Sequence, residues 1–104
     1  MTAAPAAQDA GPREIQVLTR RYAFEPAEID VAVGERVRLV MLSADGPHGV
    51  EIKRFNVKKE IPRGTTPVTV EFVADEAGRF PILCSEYCGD GHADMRGTLV
   101  VVAR

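Results

Sequence analysis

An all-β sandwich or barrel is the fold class that this 104-residue sequence predicts. Three features point there. Apolar residues alternate with polar ones over short runs, no stretch carries the 3.6-residue period of an amphipathic helix, and clusters of turn formers recur between the runs at near-regular spacing. An antiparallel arrangement of some seven strands accounts for this pattern.

The strands follow in order. Glu14 to Arg20 is rich in β-formers. Glu28 to Val33 alternates, with Ile29, Val31 and Val33 on one face, and Gly34 ends it. Arg36 to Leu42 sets Val37, Leu39 and Met41 on one face and Arg36 and Arg38 on the other, so Met41 reads as core. The turn formers Ser43 to Pro47 lead straight into His48, and extended structure resumes with "GVEI". The basic stretch Lys53, Arg54, Lys58 and Lys59 reads as an exposed strand or loop surface. Thr66 to Val73 alternates Val68, Val70 and Phe72 against Thr69 and Glu71; "RFPIL" then enters a cysteine-bearing segment, and Gly97 to Ala103 closes the chain. In such a fold, loops gather at the two ends, so the turn before His48 and the loop between the last two strands are candidates to meet.

Composition sets bounds. With 45% hydrophobic and 27% charged residues the chain has the balance of one globular domain, expected over 14–104, with residues 1–13, rich in Ala and Pro, as a linker. A formal net charge of -2 with no basic stripe argues against nucleic acid as a partner. No run approaches the roughly 18 apolar residues of a membrane span, and the opening residues lack the basic and apolar regions of a signal peptide.

The informative segment is "CSEYCGDGHADM", Cys84 to Met95. It holds both cysteines, one of two histidines and one of three methionines. Thiolate, imidazole and thioether together make a soft donor set that suits copper rather than magnesium or calcium. The candidate ligands are His48, Cys84, Cys88, His92 and Met95, with a backbone carbonyl from between the cysteines as a further donor. Two thiolates from one tight loop can bridge two metal ions, each completed by one imidazole and one weak axial donor. Two thiolates and two coppers sharing three positive charges leave one net positive charge, which a single added electron neutralises. With every position filled by protein, the site suits electron transfer rather than substrate chemistry. Three other readings compete on the residues alone: a Cys84–Cys88 disulfide, a structural Cys2His2 zinc site, and a mononuclear blue-copper site of His48, Cys88, His92 and Met95. The disulfide leaves both histidines and Met95 unexplained, zinc needs neither Met95 nor Glu86, and the mononuclear site leaves Cys84 idle.

The segment reads CxExCGxxHxxM, which resembles the dinuclear CuA copper loop of cytochrome c oxidase subunit II. The resemblance takes in the upstream histidine of "DGPHGVEI" and the strand pattern from about Tyr22 to Val102. It implies a cupredoxin-like Greek-key β-sandwich in which Cys84 and Cys88 bridge two coppers, His48 and His92 are the terminal imidazoles, Met95 is the weak thioether ligand, and Glu86 gives its backbone carbonyl. Glu86 stands where nitrous oxide reductase carries tryptophan, which favours the oxidase branch, and its side chain is implied as a magnesium ligand at the contact with subunit I. The resemblance further implies a cytochrome c or similar carrier as electron donor and subunit I as acceptor. It places the domain in the periplasm or on the outer face of the cytoplasmic membrane, held there through an anchor outside this sequence or through its partner. On this reading the domain alone moves electrons, and oxygen reduction belongs to the parent complex. The chain has no Trp, which the family's docking patch includes, and Gly49 follows His48 where the family has serine.

Overall fold

The computed structural model describes residues 12–103, in which nine strands form two packed sheets. The strands are β1 (Arg13–Arg20), β2 (Ala23–Glu25), β3 (Glu28–Ala32), β4 (Arg36–Ser43), β5 (His48–Ile52), β6 (Val57–Ile61), β7 (Gly64–Val73), β8 (Gly78–Leu83) and β9 (Arg96–Val102). Short 3₁₀ turns cover Lys53–Phe55 and His92–Asp94. One sheet runs β2-β1-β4-β7 and the other β3-β9-β8-β5-β6. Most of the expected linker, residues 1–11, lies outside the described residues.

All seven expected strands are present, and two more join them. β2 is only three residues long, too short to show an alternation. β6 hides its period because Lys58, Lys59 and Glu60 are all exposed between buried Val57 and Ile61. It is an edge strand, and a row of charges there discourages pairing with another chain. The pairing is also mixed rather than antiparallel throughout: β1 runs parallel to β4, and β3 parallel to β9. β1 and β2 form a hairpin, but the chain changes sheets between β2 and β3 and again between β3 and β4, so those two short turns do not close hairpins. β4 then returns beside β1 in the same direction.

Alternation decides what is buried. On β4, Val37, Leu39 and Met41 are at most 1% exposed, so Met41 is core as its face predicts. They pack between the sheets with Val31, Ile52, Ile82, Leu99 and Val101. At the end where β4 begins, Phe55 stacks on Phe72 at 5.3 Å and meets Phe80 edge-on at 5.0 Å, closing the sandwich. The other end, where β4 and β8 finish and β5 and β9 start, carries His48 and the cysteine loop.

Leu39, fully buried at the centre of β4, tests this account of the core. Leu39→Ala should lower the unfolding free energy by about 2–5 kcal/mol. Urea denaturation should show a lower midpoint with an unchanged slope.

Candidate metal centre

His48 is the first residue of β5 and is fully buried. The cysteine loop leaves β8 after Leu83 and returns as β9 at Arg96. β5 and β8 are antiparallel neighbours, with Glu51 opposite Leu83, so the start of one lies beside the end of the other. Very close approach is needed here. A Cβ on Gly49 would stand 3.0 Å from the Glu86 backbone nitrogen and would overlap the Ser85 hydroxyl, so a larger residue here would have to displace the Ser85 side chain. The Ser85 side chain fills the space that a side chain at Gly49 would need.

All six residues singled out from the sequence come together in a chain of contacts. His48 Nδ1 lies 3.9 Å from Cys84 Sγ, Cys84 Sγ lies 3.5 Å from Cys88 Sγ, and Cys88 Sγ lies 3.6 Å from His92 Nδ1. The Glu86 carbonyl oxygen is 3.1 Å from Cys84 Sγ, and Met95 Sδ is 3.7 Å from Cys88 Sγ. Each thiol thus has its own imidazole and its own weak donor. Both cysteines are free and buried, and Met95 is 1% exposed. The donor atoms of His48, Cys84 and Cys88 all lie within 4.8 Å of one another, a spacing that a metal ion can draw together. In donor type and convergence, these residues fit copper.

The surroundings orient the donors. Asp45 Oδ1 lies 2.6 Å from His48 Nε2. Asp45 also accepts the backbone N–H groups of Arg21 at 2.8 Å and Gly46 at 2.7 Å. Burial works against its charge, but the hydrogen bonds from Arg21, His48 and Gly46 prevail and hold its carboxyl at about 2. As an acceptor, the Asp45 carboxylate receives a hydrogen bond from His48 Nε2–H, which leaves Nδ1 facing Cys84. The alternation pattern of the sequence gave Asp45 no role. Its position three residues before the histidine was the available signal. Burial, reinforced by the neighbouring Cys84, pushes the Cys88 thiol up to about 11.

Three further residues frame the site. The Tyr22 ring lies against Gly89 and Gly91 so closely that a Cβ on either would overlap it, and Gly89 has a positive φ of 131°. Arg21 donates its Nε–H to the Cys88 carbonyl at 3.2 Å. Tyr87, 73% exposed, sets its ring 5.5 Å from that of His92. Nothing in the pattern of β1 and β2 marked Arg21 or Tyr22, because their role depends on a loop far along the chain.

Comparison with known proteins agrees with this geometry. The family model of the cupredoxin-like domain matches residues 1–101. Two cytochrome c oxidase subunit 2 sequences of Thermus thermophilus are each 32% identical over 100 residues; the alignments cover 94% of this chain and 73% and 59% of those proteins' own lengths. Among solved structures, a chain of a haem-copper terminal oxidase dimer superposes with a TM-score of 0.78 at 28% identity, covering 90% of this chain and 67% of that one. The periplasmic domain of cytochrome oxidase subunit II of Bradyrhizobium japonicum gives 0.81 at 21% identity, covering 92% and 88%, and shares the fold. The chain belongs to the cupredoxin-like family. Within it, the chain is a homologue of cytochrome c oxidase subunit II.

Two predictions test the centre. Asp45→Ala should weaken copper affinity about 10–100-fold, because it frees the His48 ring, while the circular dichroism of the fold stays unchanged. Copper uptake should also depend on pH. A thiol held at about 11 is protonated at neutral pH and must lose its proton to bind metal. Competition titrations should therefore show apparent affinity rising between about pH 6 and 8, with protons released on binding.

Proposed function

We propose that the domain is an electron-transfer module holding a dinuclear CuA copper centre, with His48, Cys84, Glu86 through its carbonyl, Cys88, His92 and Met95 as ligands. One observation carries this reading. The two thiols lie side by side, and each is flanked by a separate histidine and a separate weak donor, a paired arrangement that suits two ions better than one. The homology to oxidase subunit II supports the same assignment. The bound centre would take up one electron with no accompanying proton and pass it on.

What the protein contributes is restraint. The donors sit at strand ends and in a loop packed on Tyr22, and Asp45 fixes the His48 ring, so little has to move when one charge is added. The electron donor is a cytochrome c or a similar carrier. The acceptor is subunit I of a haem-copper oxidase, reached on the outer face of the cytoplasmic membrane. The Glu86 side chain, on the loop that bears the cysteines, would take a magnesium ion at that contact. Among the described residues no helix is long and apolar enough to cross a membrane.

Copper analysis with electron paramagnetic resonance tests the reading. Two coppers per chain sharing one unpaired electron, with a seven-line hyperfine pattern, are expected; one copper with four lines would assign the mononuclear class. Cys84→Ser should abolish the shared-electron signal. Met95→Leu should keep copper and shift its reduction potential, because a weak axial ligand tunes a site more than it holds it.

A further inference from the structure

We propose that Arg21 is a positioning residue of the copper site, clamping the His48 loop to the cysteine loop and raising the reduction potential with its guanidinium charge. The inference rests on copper binding by the ligands named above. Arg21 makes one tie to each loop: its backbone N–H reaches Asp45, 24 residues along the chain, and its side-chain Nε–H reaches the Cys88 carbonyl, 67 residues along. Asp45 passes the first tie directly to His48, and Cys88 is itself a ligand. A turn between β1 and β2 thus ties the two metal-binding segments to each other.

The first contact is made by the backbone and any residue except proline could supply it; the second needs the arginine side chain, and it gives that side chain a role in the geometry of the centre. Its charge adds a second effect. Guanidinium stays protonated at all working pH values and binds through a planar fork that ammonium cannot reproduce. A copper centre held by these ligands would become more negative by one charge on taking one electron from its donor. A fixed positive charge beside Cys88 favours that reduced form, and so raises the potential. The guanidinium also lies against the turn at Gly46, where a Cβ would stand 2.8 Å from Arg21 Nη2.

The experiment compares wild type, Arg21→Met and Arg21→Lys after copper loading, reading copper content, hyperfine pattern and reduction potential. Arg21→Met should keep its copper, alter the hyperfine splitting and show a lower potential. Arg21→Lys should recover much of the potential, since the charge remains, but not the wild-type splitting, since the Nε–H contact is lost. Equal potentials in all three proteins would overturn the proposal, as would equal falls in both variants. Should Arg21→Met fail to fold, Arg21→Lys decides alone: wild-type splitting in that variant overturns the clamp. One copper per chain in the wild type, with a lower potential in Arg21→Met, would overturn the dinuclear reading and leave Arg21 its role. Two coppers with no response to Arg21 would do the reverse. A wild type that takes up no copper would overturn both.

Discussion

The site depends on the inward face of three neighbouring strands. On β5, His48, Val50 and Ile52 are successive inward positions, and all three are fully buried. On β8, Ile82 is buried and Cys84 is the next inward position beyond the strand's end. On β9, Val101 and Leu99 lead back through Gly97 to Met95 in the same way. Because the side-chain period of a strand is two, the hydrophobic packing that sets each register also aims one donor into the end of the barrel. A one-residue slip of β5 would turn Val50 and Ile52 to solvent and take His48 with them. The apolar core thus specifies the metal site without touching the metal.

Charge is handled separately from packing. A buried imidazole with an unassigned proton would be a poor ligand, and Asp45 removes the ambiguity by holding Nε2. The carboxylate is itself secured by two backbone N–H groups from different turns. The thiols are treated differently: burial keeps Cys88 neutral until a metal ion displaces its proton. The same burial that disfavours a bare thiolate strengthens its attraction to a bound cation, so the site is selective for the loaded state.

Much of this was legible in the sequence because the relevant signals are local. Alternation located seven strands and the buried face of β4, and the spacing within Cys84 to Met95 placed four donors in one loop. The missing parts are those whose cause is distant. β6 was hidden by its exposed Lys58, Lys59 and Glu60, which make sense only for a sheet edge. The parallel pairing of β1 with β4 follows from a sheet change that no local turn announces. Gly49 looked like a simple departure from a serine, and only the packing of Ser85 against it explains the residue. Arg21 and Tyr22 belong to the site through contacts with a loop some 67 residues away, beyond the reach of any periodicity.

These separations bear on how the domain would work. A centre that only passes electrons gains from donors that stay in place when its charge changes, and rigidity is easiest to obtain where ligands end well-packed strands. His48, Cys84 and Met95 meet that condition. Cys88 and His92 do not, since they lie in the loop between β8 and β9. For these two, restraint has to come from outside the sheet: the Tyr22 ring against Gly89 and Gly91, the Tyr87 ring beside His92, and the Arg21 bond to the Cys88 carbonyl. The β1–β2 turn therefore helps to do for Cys88 and His92 what strand register does for His48, Cys84 and Met95.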